Sequence, residues 1–155
     1  MARVDLSLVL RDAAEMVAAR AAAMEAQVVL DLPDEPIWVK GGEVRLGQVF
    51  VNLMTNALDA MTDSAERRLT ISLSSLSPLC VEVRDTGPGV EVPEKVFDPF
   101  YTTKAVGAAE GRGLGLSISY GLVQTFGGNI RGANRPECGA VFTVELDRWE
   151  GEKAA

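Results

Sequence analysis

Apolar residues recur at helical spacing near the start of the chain. Leu6, Leu10, Ala13, Val17, Ala21 and Met24 share one face, and Asp5 or Ser7 can cap the helix they predict. Val28–Leu32 then reads as a strand, Pro33-Asp34-Glu35-Pro36 as a turn, and Ile37–Val39 as a second short strand. Gly41-Gly42 breaks the chain before a helix from about Glu43 to Thr62, with Leu46, Val49, Phe50, Leu53, Ala57, Ala60 and Met61 on its buried side. Leu69–Ser74 and Cys80–Arg84 alternate like paired strands, with Ser77-Pro78 near the turn. From about Asp85 to Gly113 the periodicity fades and Gly, Pro and Ala accumulate. A stretch that long predicts a functional loop or lid. A helix follows over Leu114–Phe126, stopped by Gly127-Gly128. Ile130–Ala133 and Val141–Leu146 read as two closing strands, with Glu137-Cys138-Gly139 near their turn. Helices and strands mix without strict βαβ alternation, which favours a layered α/β sandwich over a doubly wound sheet.

The length of 155 residues suits one domain with a real core, placed at 4–148 with 1–3 and 149–155 as flexible ends. A hydrophobic fraction of 47% beside 24% charged is that of an ordinary soluble globular chain. No apolar run reaches the ~20 residues of a membrane helix, and no signal peptide is visible in Met1–Leu10. The net charge of −7 argues against a nucleic-acid-binding surface. It leaves room for an anionic nucleotide, because a metal and local dipoles offset the repulsion. The chain has no histidine and no CxxC pair, so zinc is excluded and Cys80 and Cys138 read as reduced core thiols.

Three constellations carry chemistry. On the Glu43–Thr62 helix, Arg45, Gln48, Asn52, Asn56, Asp59 and Asp63 form one polar stripe. A solvated face would explain it, but such faces favour Glu, Lys and Arg, since Asn costs helix stability. Two Asn one turn apart aim two amide oxygens at one spot, as a Mg²⁺ shared with phosphate needs. Asp85-Thr86-Gly87-Pro88-Gly89 follows a strand. It makes a good turn, and equally an Asp that accepts from an exocyclic amine, beside glycines that let a flat base approach. Gly111-Arg112-Gly113-Leu114-Gly115-Leu116 opens a helix. It is neither a Rossmann fingerprint nor a Walker A loop. Read blandly it is a flexible helix start; read functionally, its free N–H groups and positive dipole end suit phosphates, with Lys104 and Arg112 as the nearest cations.

In this order the motifs strongly resemble the catalytic ATP-binding domain of two-component sensor histidine kinases. Leu46–Met61 is similar to that family's N box, Asp85–Gly89 to its G1 box, Val96–Lys104 to its F box and Gly111–Leu116 to its G2 box. The resemblance spans about Leu6 to Leu146 and is nearest in flavour to nitrogen-sensor and dicarboxylate-sensor kinases. It implies the Bergerat, or GHKL, fold: a two-layer α/β sandwich, with a mixed sheet of about five strands and about three helices on one face. It implies ATP and Mg²⁺ as cofactors, with Asn56 as metal ligand and Asn52 supporting it. Asp85 would bind the adenine amine beside Gly87 and Gly89, with Thr143 helping through water. Phe97 and Phe100 would anchor a lid over about Tyr101–Gly111, from which Thr102, Thr103 and Lys104 reach the nucleotide. Gly111, Arg112, Gly113, Leu114, Gly115 and Leu116 would hold phosphates. Many relatives carry Lys or Arg three residues after the second Asn; here Asp59 stands there, so Lys104 and Arg112 become the catalytic cations.

The implied reaction moves the γ-phosphoryl of ATP to a histidine on a separate dimerisation/phosphoacceptor domain, and a response regulator receiver domain acts downstream. The chain then reads as the cytoplasmic catalytic piece of a larger protein, whose inner-membrane anchoring stays open, with no nucleic-acid partner and no membrane insertion of its own. Two alternatives remain. A GHKL-type ATP hydrolase would place a Glu at the position of Asn52. A degenerate nucleotide-binding or docking module would have lost part of its boxes.

Overall fold

The computed structural model describes residues 2–74, 79–87, 119–134 and 139–147. Strand β1 (Ala2–Asp5) leads directly into helix α1 (Leu6–Ala23). Asp5 is the pivot. Its carboxylate accepts from the N–H groups of Ser7 at 3.1 Å and Leu8 at 3.4 Å, capping the helix, and from Ile37 N–H at 3.4 Å. Such a cap is worth about 1 kcal/mol, and here it also fixes the helix start to the chain entering β3. Strands β2 (Gln27–Asp31) and β3 (Trp38–Gly41) follow, then α2 (Glu43–Ala60), β4 (Arg68–Ser74) and β5 (Leu79–Arg84). A helical segment over 119–125, α3, precedes β6 (Asn129–Asn134) and β7 (Ala140–Leu146).

Five strands form the main sheet in the order β2-β4-β5-β7-β6. Among the described residues the β2–β4 pairing alone is parallel, so the sheet is mixed as expected. β1 and β3 form a separate antiparallel pair, Ala2 opposite Gly41 and Arg3 opposite Lys40. Ala2 and Arg3 were expected in a flexible end. Backbone pairing holds them instead, and Arg3 lies over the Trp38 ring, 4.3 Å from its centroid.

Period-2 alternation sends Leu69, Ile71, Val81, Val83, Phe142 and Val144 into the core beneath the helices. Leu46, Phe50, Leu53 and Met54 of α2 and Leu6, Leu10 and Val17 of α1 fill it from above. The other sheet face is polar: Arg131 donates to Glu145 at 2.6 Å and Arg84 to Ser72 Oγ at 3.3 Å. Cys80 belongs to that outer face. It is a half-buried reduced thiol rather than a core one, because even-numbered residues of β5 point away from the helices. Burial, then the neighbouring Glu145, raises its pKa above the ordinary value.

Helix ends are set by local backbone chemistry. α3 stops where Gly127 adopts φ +79° and Gly128 N–H reaches back to Val123 O at 3.0 Å. The end of α1 uses the same pattern, Ala26 N–H to Ala21 O at 2.8 Å, but with Glu25 at φ 57° in the left-handed position. Gly127-Gly128 marks the end of α3 in the sequence, while the residue serving at α1 is not the glycine usually found there.

Candidate functional site

Two constructions meet at the C-terminal end of α2. The first is the corner after β5. Alternation brings Asp85 to the helix side of the sheet, where only 1% of it is exposed. Its Oδ1 accepts from Gly87 N–H at 2.9 Å and from Ala140 N–H at 3.2 Å. Its own N–H donates to Ala140 O at 3.0 Å, which continues the β5–β7 ladder by one residue. A buried carboxylate without such partners would cost several kcal/mol. Here backbone N–H groups both stabilise the charge and fix the plane of the carboxylate.

Two glycines make that corner possible. Gly139 has φ +88°, and a Cβ there would lie 2.0 Å from Asp85 O. A Cβ on Gly87 would lie 2.8 Å from Ala60 O, so the turn packs flat against the last turn of α2. Thr86 ties the turn down from its other side. Its hydroxyl donates to Glu66 O at 2.7 Å, accepts from Arg68 N–H at 3.0 Å and touches Met61 Sδ at 3.3 Å.

The second construction is the polar stripe of α2. Its residues pass from exposed Arg45 and Gln48, through half-buried Asn52 and Asn56, to buried Asp59. Asn52 Nδ2 donates to Ser119 Oγ of α3 at 3.3 Å. Asn56 Nδ2 donates to Asn52 O at 2.8 Å. That bond needs the amide nitrogen, so Oδ1 of Asn56 is turned away from the helix axis. Asp59 forms an ion pair with Arg20 of α1. A groove of about 500 Å³ lies between α1 and α2, lined by Val9, Ala13 and Met16 on one side and by Gly47, Val51 and Asn52 on the other. It meets the stripe at Asn52. Its matching of residues 9–16 with 43–52, followed by Arg20 with Asp59, means the two helices run side by side in the same direction.

The residues fit a cation held jointly with a ligand. Among the described residues no group of three or more His, Cys, Asp or Glu side chains forms a metal cage. Neutral amide oxygens at Asn52 and Asn56 are hard donors of the kind Mg²⁺ takes.

Asn56, Asp59, Asp85 and Gly87 lie around the end of α2 and the β5 corner, with Asn52 one turn before Asn56 on the same helix face. Thr143 does not join them. It pairs with Glu82 and Arg131 in register, and alternation from Ala140 puts it on the outer sheet face, opposite to Asp85. The β7 residue that faces Asp85 is Ala140. Gly89, Phe97, Phe100, Thr102, Thr103, Lys104, Gly111, Arg112, Gly113, Leu114, Gly115 and Leu116 lie outside the described residues, as do the expected lid and Cys138. Sequence reasoning missed Gly139, Ala140 and Arg20. The first had a signal, since a Gly at a strand entry often marks a positive φ; Arg20 had none, because its contact is with a residue 39 positions away.

No helix of the described residues is long and apolar enough to cross a membrane. The chain is 41% identical over 147 residues to the C4-dicarboxylate transport sensor protein DctB of Pseudomonas aeruginosa. That match takes in 92% of this chain and 24% of DctB, so the chain spans about a quarter of that relative's length. The catalytic domain of histidine kinase ThkA superposes with a TM-score of 0.79 at 26% identity, covering 95% of this chain and 96% of that domain. ThkA has also been solved in complex with the response regulator protein TrrA, where the TM-score is 0.80 at 26% identity over 97% of this chain and 42% of that one. Full-length ShkA in complex with AMPPNP gives 0.79 at 27% identity, over 95% of this chain and 31% of ShkA. Residues 41–150 match the family described as histidine kinase-, DNA gyrase B-, and HSP90-like ATPase. With its mixed sheet, its helices on one face and its site at the end of α2, the chain belongs to that family, as a catalytic domain of the sensor histidine kinase kind.

Proposed function

We propose that this domain binds ATP with Mg²⁺ and presents the γ-phosphoryl group to a histidine on a separate dimerisation/phosphoacceptor domain, from which a response regulator receiver domain takes it. The observation that carries the reading is Asp85: a carboxylate 1% exposed and oriented by two backbone N–H groups beside a glycine turn. Such a carboxylate is an acceptor for an exocyclic amine, and Gly87 lets a flat base lie close. Asn56 and Asn52 would hold the metal, which would supply neutralisation of phosphate charge there. The protein's own part is positioning. Asp85 sets the base, and α2 fixes the distance from the base to the metal-binding amides.

The absence of histidine in all 155 residues supports transfer to another domain. Asn52 supports transfer over hydrolysis, because an amide cannot take a proton from water as a carboxylate would. The AMPPNP complex of ShkA and the TrrA complex of ThkA support the nucleotide and the downstream partner by similarity. Calorimetry with Mg-ATP should show binding. Incubation with γ-labelled ATP should leave the chain alone unlabelled and should label a histidine-bearing dimerisation domain supplied in trans. An acid-labile label on this chain alone would contradict the proposal.

A further inference from the structure

We propose that Arg20 of α1 is a phosphate-binding residue of the ATP site, held over the α2 stripe by Asp59. The inference rests on the ATP-binding reading above and supplies it with a cation. In the described site two acids, Asp59 and the Asp85 corner that packs at Ala60, lie at the C-terminal end of α2, and the two neutral amides, Asn52 and Asn56, precede them along the helix. A nucleotide polyphosphate placed on Asn56 would meet the Asp59 carboxylate three residues along the same helix face, a neighbour at about 5–6 Å between Cβ atoms. Asp59 is not left as a bare charge. Arg20 reaches across from α1 and its Nη2 donates to Asp59 Oδ1.

The two partners differ in exposure, and the difference points to the role. The Asp59 side chain is 11% exposed, whereas that of Arg20 is 53% exposed. A guanidinium has five N–H donors in a planar fork, and the described contact with Asp59 uses one nitrogen. The exposed remainder can take phosphate oxygens in the paired geometry that guanidinium favours. Position along α2 separates Arg20 from the other cation on the stripe. Asp59 is about 4.5 Å from Asn56 along the helix axis, while Arg45 is about 16 Å from it at 1.5 Å per residue. Arg45 is too far to share a phosphate with the Asn56 amide without a long reach. An ion pair that merely tethered α1 to α2 would contribute little with one partner half exposed. It would not by itself place a basic group one turn past the metal-binding amides.

The test is a comparison of Mg-ATP with adenosine on the whole chain, by calorimetry for the first and NMR titration for the second. Arg20→Gln should weaken Mg-ATP by about tenfold or more, with adenosine affinity within twofold of wild type. Adding Asp59→Lys to Arg20→Gln should restore Mg-ATP affinity to within about threefold, since it sets an ammonium on α2 one turn past Asn56. The double variant removes the Asp59 carboxylate together with the Arg20 guanidinium, so it reports on the phosphate contact even where Arg20→Gln alone loosens α1. Unchanged Mg-ATP affinity in Arg20→Gln would overturn the proposal. So would equal loss of ATP and adenosine, or a double variant that binds adenosine but takes Mg-ATP no better than the single one. A wild-type chain that fails to bind Mg-ATP at all would instead remove the function proposed above.

Discussion

Asp85 and Asn56 stand at the two ends of one site, and they are held by different means. The Asp85 corner is fixed by backbone: two N–H groups on the carboxylate, a ladder bond to Ala140, and two glycines at which no side chain fits. The Asn56 stripe is fixed by a helix whose opposite side is core, and its described polar contacts are made by side chains, to Asn52 O, to Ser119 Oγ and to Arg20. At the corner, fold and function draw on the same atoms. On the stripe they are separable, because the helix is stabilised by Leu46, Phe50, Leu53 and Leu58 whatever faces the ligand. Mutations that disturb the corner's backbone should therefore damage folding, whereas truncating an amide on the stripe should damage binding and spare the fold.

Gly139→Ala is the strongest way to break that contrast. A side chain at φ +88° costs about 1–2 kcal/mol, and the new Cβ must also move Asp85 O, 2.0 Å from where it would stand. Together these should lower stability by about 3 kcal/mol or more in urea unfolding. That is a large part of the ~5–15 kcal/mol of a typical domain. Unfolding at the wild-type midpoint would mean that the corner is as tolerant as the helix face.

Asp85→Asn comes next and works on chemistry rather than space. The Asn oxygen can still accept from Gly87 and Ala140 N–H, so the corner keeps these two bonds. Its amide nitrogen then presents donors where the carboxylate presented an acceptor. ATP affinity should fall by about 1.5–3 kcal/mol, with circular dichroism unchanged and the wild-type preference of ATP over GTP abolished. Equal affinity of the wild type for ATP and GTP would remove the base-reading role of Asp85.

The same contrast decides what was legible in the sequence. Helix α2 was readable nearly to its ends, since its apolar side and Gly41-Gly42 are local signals, and observed Glu43–Ala60 falls two residues short of the expected end. The Asn stripe was readable for the same reason: helical periodicity fixes which residues share a face. The strands were readable as elements but not as pairings. Thr143 was expected near Asp85 from the family resemblance, yet a face is assigned only by register, and Ala140 takes the place. β1 was missed because four residues with no partner in sequence carry no strand signal; its partner β3 lies over 30 residues on. Arg20 was missed because α1 periodicity marks it only as polar and exposed. Contacts between elements distant in the chain were the part that sequence pattern could not supply.

The smallest expected effect on stability is also the most discriminating. Asn56→Ala removes one side-chain hydrogen bond, from Nδ2 to Asn52 O at 2.8 Å. That carbonyl lies four residues before Asn56, where it can still serve the helical backbone ladder, so the net loss is about 0.5–1 kcal/mol. Alanine returns roughly 0.5 kcal/mol in helix propensity over asparagine. The two nearly cancel, and the midpoint in urea should shift by less than the equivalent of about 0.5 kcal/mol. Mg²⁺-dependent ATP affinity should nonetheless fall by more than about tenfold, as expected for loss of a metal ligand, while adenosine binding persists. A variant that lost stability and adenosine binding together would show Asn56 to be structural, and the separation between a backbone-built corner and a side-chain-built stripe would fail at its clearest point.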